Sequence, residues 1–422
     1  MSPAAPPSRP PPSGVDGATY AVVVLTAMNL LNYVDRWVPS AVKDLFKKDL
    51  GLTDQQTALP LSAFIIVYML ASPVFGSLAE RGPRKLLVGA GVAIWSLATA
   101  GAALAGSFYA LLVARALVGI GEAAYATIAP SLIADFFPPD KRNKVFTIFY
   151  VATPVGSAIG FALGGFLGEH WGWRAAFLAV GLPGLLVALL ALTMKEPLRG
   201  RFDEKKVAPP PWSTALRTLA GHKQYVVTVA GYTAVTFATG GIADWLATFL
   251  SRHRGMALDQ ACFLVGVVTV VGGLGGTVVG GLVADRAKRY TRQAYLAVSG
   301  LALIPAVVLT FVALYVAASP AVILGCILVA QFFLWAYNAP VNAIIVNAVD
   351  GSMRARAFGV SILCIHLFGD AASPPLIGEV SDRMNNLPLA LGMVPVAIGV
   401  GAVIWIAGWR LLPDHAPESP AP

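Results

Sequence analysis

The chain has 422 residues, 57% of them hydrophobic and only 12% charged, with a mean hydropathy of +0.70 and a formal net charge of +8. A water-soluble domain carries about 25% charged residues, so this composition excludes a soluble fold and makes lipid the solvent. The positive charge does not mark a nucleic-acid binder, because Lys and Arg are scattered over short segments rather than gathered on one face. Cys262, Cys326 and Cys364 lie in apolar runs without metal-ligand spacing and read as small buried hydrophobes, free of disulfides.

Residues 1–17, rich in Pro, Ser and Ala, read as a disordered cytoplasmic tail. A bilayer-spanning helix needs roughly 20 apolar residues. Twelve runs meet this, at about 18–41, 57–79, 86–106, 108–134, 144–168, 174–194, 224–250, 260–284, 293–316, 319–347, 357–380 and 387–411. The expected fold is thus all-α and integral to the membrane: a six-helix bundle over 18–194, a cytoplasmic linker over 195–223, a second six-helix bundle over 224–412 and a tail over 413–422. The linker holds Arg199, Arg201, Asp203, Glu204, Lys205, Lys206 and the Pro209–Pro211 triplet.

Basic residues in short loops fix orientation. With the N-terminus inside, 21 of the 30 Lys and Arg fall on the inner side and 7 on the outer. Both termini are therefore expected in the cytoplasm, and the membrane is expected to be a bacterial inner membrane. The halves also repeat. Gly76-Ser-Leu-Ala-Glu-Arg81 follows the second run and Gly281-Leu-Val-Ala-Asp-Arg286 follows the eighth. Parallel repeats of six helices are a known transporter plan, with the substrate site near the midplane between them.

The loop Gly76-Ser-Leu-Ala-Glu-Arg-Gly-Pro-Arg-Lys85 is similar to the signature loop of the major facilitator superfamily. Its charges can pair with helix ends, which makes Glu80, Arg81, Arg84 and Lys85, with Asp285 and Arg286 of the repeat, candidates for a cytoplasmic gate. A solvated basic loop is the competing reading. Asn32-Tyr-Val-Asp-Arg36, the segment from Arg115 through Gly121-Glu-Ala-Ala-Tyr125 to Asp135, and Phe149-Tyr-Val-Ala-Thr-Pro-Val-Gly-Ser157 together resemble the Spinster family of that superfamily. The resemblance covers most of the first half. It implies a proton-linked carrier of lysophospholipids or sphingoid phosphates, whose first, fourth, seventh and tenth helices line the cavity.

Ionisable groups inside a bilayer are costly and are functional candidates by default. Asp35 and Arg115 fall at similar depth on antiparallel runs, so they are expected to pair. Arg115 and Glu122 are seven apart, on one helical face but about 10.5 Å apart along the axis. Glu122 is thus expected to lack a close partner. Asp35 and Glu122 are the candidate proton carriers, and Arg36 and Arg115 the candidate cations for an anionic head. A charge network that only packs the first helix on the fourth is the alternative. The second half offers Phe332, Trp335, Tyr337, Asn338 and Asn342 on the tenth run, and with Tyr125 and Glu122 these are the remaining candidate substrate contacts. His366 and Asp370, at i and i+4, form a candidate second titrating site.

One charged wall facing one aromatic wall suits an anionic amphiphile, moved by proton-coupled alternating access. No cofactor is expected, since the proton gradient supplies the driving force, and one chain holds a whole pathway, so a monomer should function. A proton-linked symporter of small organic anions is the alternative within transport. A non-transporting membrane sensor is the alternative outside it. Nothing in the sequence has a nucleophile elbow, a phosphate-binding loop or a metal cluster that would point to an enzyme. Gly156, Gly160 and Gly164, and Gly272, Gly276 and Gly280, recur every four residues and are expected to let helix backbones approach.

Overall fold

A computed structural model describes residues 16–202, 211–291, 293–350 and 353–411, and these are helical almost throughout. Arg9, Arg292, most of both expected tails and the linker residues Asp203, Glu204, Lys205, Lys206, Pro209 and Pro210 lie outside the described residues. In chain order the first bundle comprises α1 (Ala18–Ala41), the short α2 (Lys43–Leu50), α3 (Asp54–Arg81), α4 (Arg84–Ala102), α5 (Phe108–Phe136) and α6 (Pro139–Thr193). A linker helix α7 (Trp212–Gly221) leads to α8 (Lys223–Arg254), α9 (Leu258–Ala287) and α10 (Ala294–Phe311). The second bundle continues with α11 (Pro320–Trp335), α12 (Asn338–Asn347), α13 (Arg354–Ile365), α14 (Ser373–Met384), the single turn α15 (Leu387–Ala390) and α16 (Met393–Leu411).

Ten helices among the described residues are long and apolar enough to cross a bilayer, one of them the 50-residue stretch Lys144–Thr193. A straight helix of that length would run about 75 Å, more than twice the hydrocarbon thickness of about 30 Å. It folds back at Gly172, whose φ of 81° is open to glycine but strained for other residues. Counted as two passes, and with the 24-residue α1 added, the described residues make twelve crossings. Next to this turn, Arg174 and the Trp173 indole (3.2 Å) hydrogen-bond Asp49 of α2 and hold its carboxyl below the usual range.

Three segments differ from the expected run of elements. Residues 212–221 of the linker form α7, because Trp212, Ala215, Leu216 and Leu219 recur at helical spacing and Ala215 and Leu219 are buried. The tenth crossing breaks between α11 and α12. Pro340 has no N–H to offer the carbonyl of Ala336, and that carbonyl instead abuts Gly280 of α9. The eleventh crossing passes from α13 through a π-helical turn, His366–Asp370, into α14. Pro374 and Pro375 leave the carbonyls of Asp370 and Ala371 without helical donors, and the Ala371 carbonyl accepts the Ser62 hydroxyl of the first bundle at 2.6 Å.

The glycine stripes serve packing inside each bundle. Gly156, Gly160 and Gly164 bring α6 onto α1, and Gly272, Gly276 and Gly280 bring α9 onto α11 and α12. A Cβ on Gly276 would fall onto the Phe332 carbonyl oxygen, a backbone atom that cannot swing aside, whereas one on Gly325 would meet nothing within 4 Å. Gly276→Ala is therefore expected to cost about 1–3 kcal/mol and to lower the Tm in detergent. Gly325→Ala should hold or raise it. Equal melting of the two variants would contradict this packing.

The bundles meet chiefly along two helix pairs, α6 on α9 and α3 on α14. In the first, Gly165 lies against Cys262 and Gly266 against Ala158. In the second, Gly378 lies against the backbone of Asp54 and Gln55. On α3 the buried residues run from Asp54 to Ile65, and none of those from Ile66 to Arg81 is buried. The bundles are thus closed at the end away from the termini and part toward the end that carries them.

Candidate functional site

Two buried ion pairs tie α1 to α5. The adjacent residues Asp35 and Arg36 leave α1 about 100° apart, so they meet different partners. Asp35 accepts from the Thr99 hydroxyl of α4 at 2.5 Å and from Arg115 Nη1 at 3.4 Å. Arg36 Nη2 reaches Glu122 Oε2 at 2.6 Å. Arg115 and Glu122 share one face of α5 two turns apart, so the pairs lie one above the other along the helix. Asp35, Arg115 and Glu122 are fully buried, while the Arg36 side chain keeps 20% of its surface.

The Asp35–Arg115 pair lies where depth matching puts it. Glu122, expected to lack a partner, has one, because spacing along α5 says nothing about what α1 presents to it. Arg36 is correspondingly not a free cation. The rings of Tyr33 (4.7 Å), Phe64 (5.0 Å) and Tyr68 (5.7 Å) surround its guanidinium, and none of the three was singled out from sequence. Several atoms of the cluster have no hydrogen-bond partner: Glu122 Oε1, Arg36 Nε, and Arg115 Nε and Nη2. Acceptor and donor capacity is therefore left over inside a buried, formally neutral group of four charges.

Tyr125 is not a cavity residue. Its hydroxyl donates to the Leu25 carbonyl at 2.7 Å and its ring meets Trp95 edge-on at 5.5 Å, in the core of the first bundle. In the second bundle Tyr337 is also buried, against Tyr232 (5.3 Å) and Trp405 (5.4 Å). Phe332 lies over Gly275 of α9. Trp335 donates to Gln331 at 3.2 Å and Asn342 to the Asn338 side chain at 3.0 Å, and Trp335, Asn338 and Asn342 stay partly accessible. His366 Nδ1 lies 2.9 Å from Asp370 Oδ1, with both side chains partly exposed in the π-helical turn.

At the termini end the signature-loop charges stay within their own bundles. Arg84 bridges Asp135 (2.5 Å) and Glu196 (3.1 Å), Lys85 donates to the Leu192 and Met194 carbonyls, and Arg199 to the carbonyls of Glu80 and Gly82. Asp285 pairs with Lys288 at 3.0 Å and accepts from the Tyr295 hydroxyl at 2.8 Å. The side chains of Glu80, Arg81 and Arg286 are exposed. In this conformation the loop does not join the bundles among the described residues.

The opposite end does join them, through residues that sequence reasoning missed. Asp244 of α8 accepts from Ser40 (2.6 Å) and Lys43 (2.6 Å), and the Lys43 ammonium lies 3.1 Å from the centre of the Trp245 ring. Asp54 takes Arg252 (2.8 Å), Lys47 (2.5 Å) and the Ser381 hydroxyl (2.6 Å). Arg252 also holds Asp44 at 2.5 Å. Asp382 of α14 accepts the backbone N–H of Asp54 and of Gln55, each at 2.9 Å, while Thr53 caps Gln56. Half of the unsatisfied donors at the start of α3 are therefore met by the other bundle. The signal was available in Asp244, a lone carboxylate inside an apolar run.

Comparison with known proteins places this arrangement. Residues 25–374 match the Major Facilitator Superfamily model. The chain is 36% identical to mouse protein spinster homolog 1 over 393 residues, 87% of this chain and 74% of the mouse protein. It is 35% identical to the human protein of the same name over 389 residues, 86% of this chain and 73% of the human one. A crystal structure of a bacterial homologue of the human lysosomal transporter Spinster, inward-facing and unoccupied, superposes with a TM-score of 0.82 at 25% identity, covering 94% of this chain and 96% of that one. A D-xylose–proton symporter shares the fold, with a TM-score of 0.73 at 16% identity over 94% of this chain and 98% of its own. The chain is a multi-pass membrane protein of the major facilitator superfamily and belongs, within it, to the Spinster family of transporters.

Proposed function

We propose that this transporter couples proton movement to the movement of an anionic amphiphile, of the lysophospholipid or sphingoid-phosphate kind, by alternating access. The observation that carries the reading is the buried four-charge cluster of Asp35, Arg36, Arg115 and Glu122 with unused hydrogen-bonding capacity. Formally neutral when all four are ionised, it becomes +1 when a carboxylate takes a proton. Burial makes such an imbalance costly, and an anionic head drawn toward Arg36 offsets it. Proton and anion thus favour each other's binding, which is the thermodynamic content of coupling. Phe332, Trp335 and Tyr232 on the second bundle supply the apolar side for a tail, with the half-buried amides of Asn338 and Asn342 as polar contacts beside it. His366 and Asp370 are a second place where a proton can reside.

The excess of basic residues at the termini end favours both termini in the cytoplasm, in a bacterial plasma membrane, so the bundles part toward the cytoplasm. No cofactor is needed beyond the proton gradient, and a single chain suffices. The reading against a small organic anion is tested by competition on the purified protein. A lysophospholipid should compete with a labelled amphiphile at concentrations at which a sugar acid does not, and Trp335→Ala should weaken the amphiphile about tenfold, the scale of one lost aromatic contact. Equal competition by the sugar acid would favour the small-anion symporter.

A further inference from the structure

The linker helix α7 and the start of α13 form a surface that the transport pathway does not use. On α7 the apolar positions Trp212, Ala215, Leu216, Leu219 and Ala220 occupy one continuous arc of about 140°. Ala215 and Leu219 face the protein, but Trp212 and Leu216, on the flank of the same arc, are 56% and 48% exposed. One residue after α7 ends, α8 begins its crossing, capped by His222 and tied by the Tyr225 hydroxyl to the Ala357 carbonyl of α13 at 2.7 Å. The helix therefore sits where two spans enter the bilayer, and Val226, just inside α8, continues the exposed apolar strip.

Within the two stretches that form it, the charges have one sign. Arg217, Lys223, Arg354 and Arg356 lie in the stretches 212–226 and 353–365, which contain no Asp or Glu. Arg356 lies with its guanidinium carbon 4.8 Å from the centre of the Trp212 ring, and its Nη1, covered on this side, has no hydrogen-bond partner. A half-exposed apolar flank, an indole at the level where spans begin, and cations beside it match what an interfacial helix presents to a leaflet.

We propose that α7 and the start of α13 form a docking surface for anionic phospholipid headgroups of the leaflet at the termini end, with Trp212 and Leu216 inserted at the headgroup boundary and Arg217 and Arg356 taking the phosphates. A cation close to an anionic leaflet favours its lipids by about fivefold.

The test uses the full chain in phosphatidylcholine nanodiscs that contain an equal fraction of brominated phosphatidylcholine or brominated phosphatidylglycerol. Subtracting the tryptophan emission of Trp212→Phe from that of the parent isolates Trp212. Its emission should be quenched by both lipids, and several-fold more by the anionic one. Arg217→Gln combined with Arg356→Gln should remove most of that preference, bringing the two quenching levels close together. Arg217→Gln alone, at an exposed position, provides the same reading should the pair fail to fold. A Trp212 signal untouched by either lipid, equal quenching by the two, or a preference that survives the charge substitutions would each overturn the proposal.

Discussion

Glu122→Gln is expected to abolish uphill transport driven by a pH gradient while leaving substrate exchange at equal pH in place. Glutamine keeps the shape of the side chain and can still accept a hydrogen bond from Arg36 Nη2, the 2.6 Å contact of the parent protein. It cannot take a proton. In the parent, protonating Glu122 releases Arg36 from its counter-charge, and Arg36 is the member of the cluster whose side chain keeps some exposure, 20% of its surface. With glutamine the arginine is permanently without that counter-charge, so substrate binding should lose its pH dependence rather than its strength. Removing one partner of a buried pair costs about 3–5 kcal/mol. Part of that cost is relieved here because the guanidinium sits among Tyr33, Phe64 and Tyr68. Accumulation in proteoliposomes under an imposed gradient should fall by more than about tenfold, and counterflow by less than about threefold. A fall of both by the same factor would mean that Glu122 only holds the fold.

The second large effect is expected at the closed end. Lys43 and Asp244 are both almost wholly buried, at 1% and 2% side-chain exposure, and each comes from a different bundle. Lys43→Met leaves Asp244 with the Ser40 hydroxyl and no counter-charge. A cost of about 3–5 kcal/mol falls on the closed state alone if opening lets water reach the carboxylate, which shifts the equilibrium toward opening by about 100-fold or more. Ala58, buried between the bundles at this end, is a suitable reporter. In a chain whose three cysteines are replaced, Ala58→Cys should be labelled by an impermeant maleimide far faster when Lys43→Met is added. Adding Asp244→Leu to Lys43→Met removes the orphaned charge and should return labelling to near the parent rate. Unfolding would label all of these variants, so recovery in the double variant separates opening from collapse. The same reasoning extends to Asp382: opening must expose the N–H groups of Asp54 and Gln55 that it accepts.

Much of the fold was legible because a bilayer leaves few options. Apolar runs of sufficient length have to be helices, and their number and the repeated Gly-Leu-Val-Ala-Asp-Arg loop give the two-bundle plan. The breaks at Ala336–Tyr337 and at His366–Asp370 were not read, although Pro340 and the Pro374–Pro375 pair marked the carbonyls that would be freed. Within the site, Asp35 and Arg115 could be matched by depth, a quantity the sequence carries. The pairing of Arg36 with Glu122 depends on how α1 is rotated about its axis against α5, and rotation is set by packing. The same limit explains Tyr125, which its position on α5 made a candidate and its rotation turned toward Leu25. At the closed end Lys43, Lys47 and Arg252 looked like ordinary loop charges, since nothing local to them in the sequence shows that Asp44, Asp54 and Asp244 converge on them from both bundles.

The most direct test measures proton movement when substrate is added. Proteoliposomes that hold a pH-sensitive dye, with no initial gradient, receive a lysophospholipid on one side. Coupling through the buried cluster requires a pH change inside that depends on the added lipid, is abolished by Glu122→Gln, and survives Lys43→Met with Asp244→Leu. Lipid movement with no accompanying pH change, or a pH change that persists in Glu122→Gln, would contradict it.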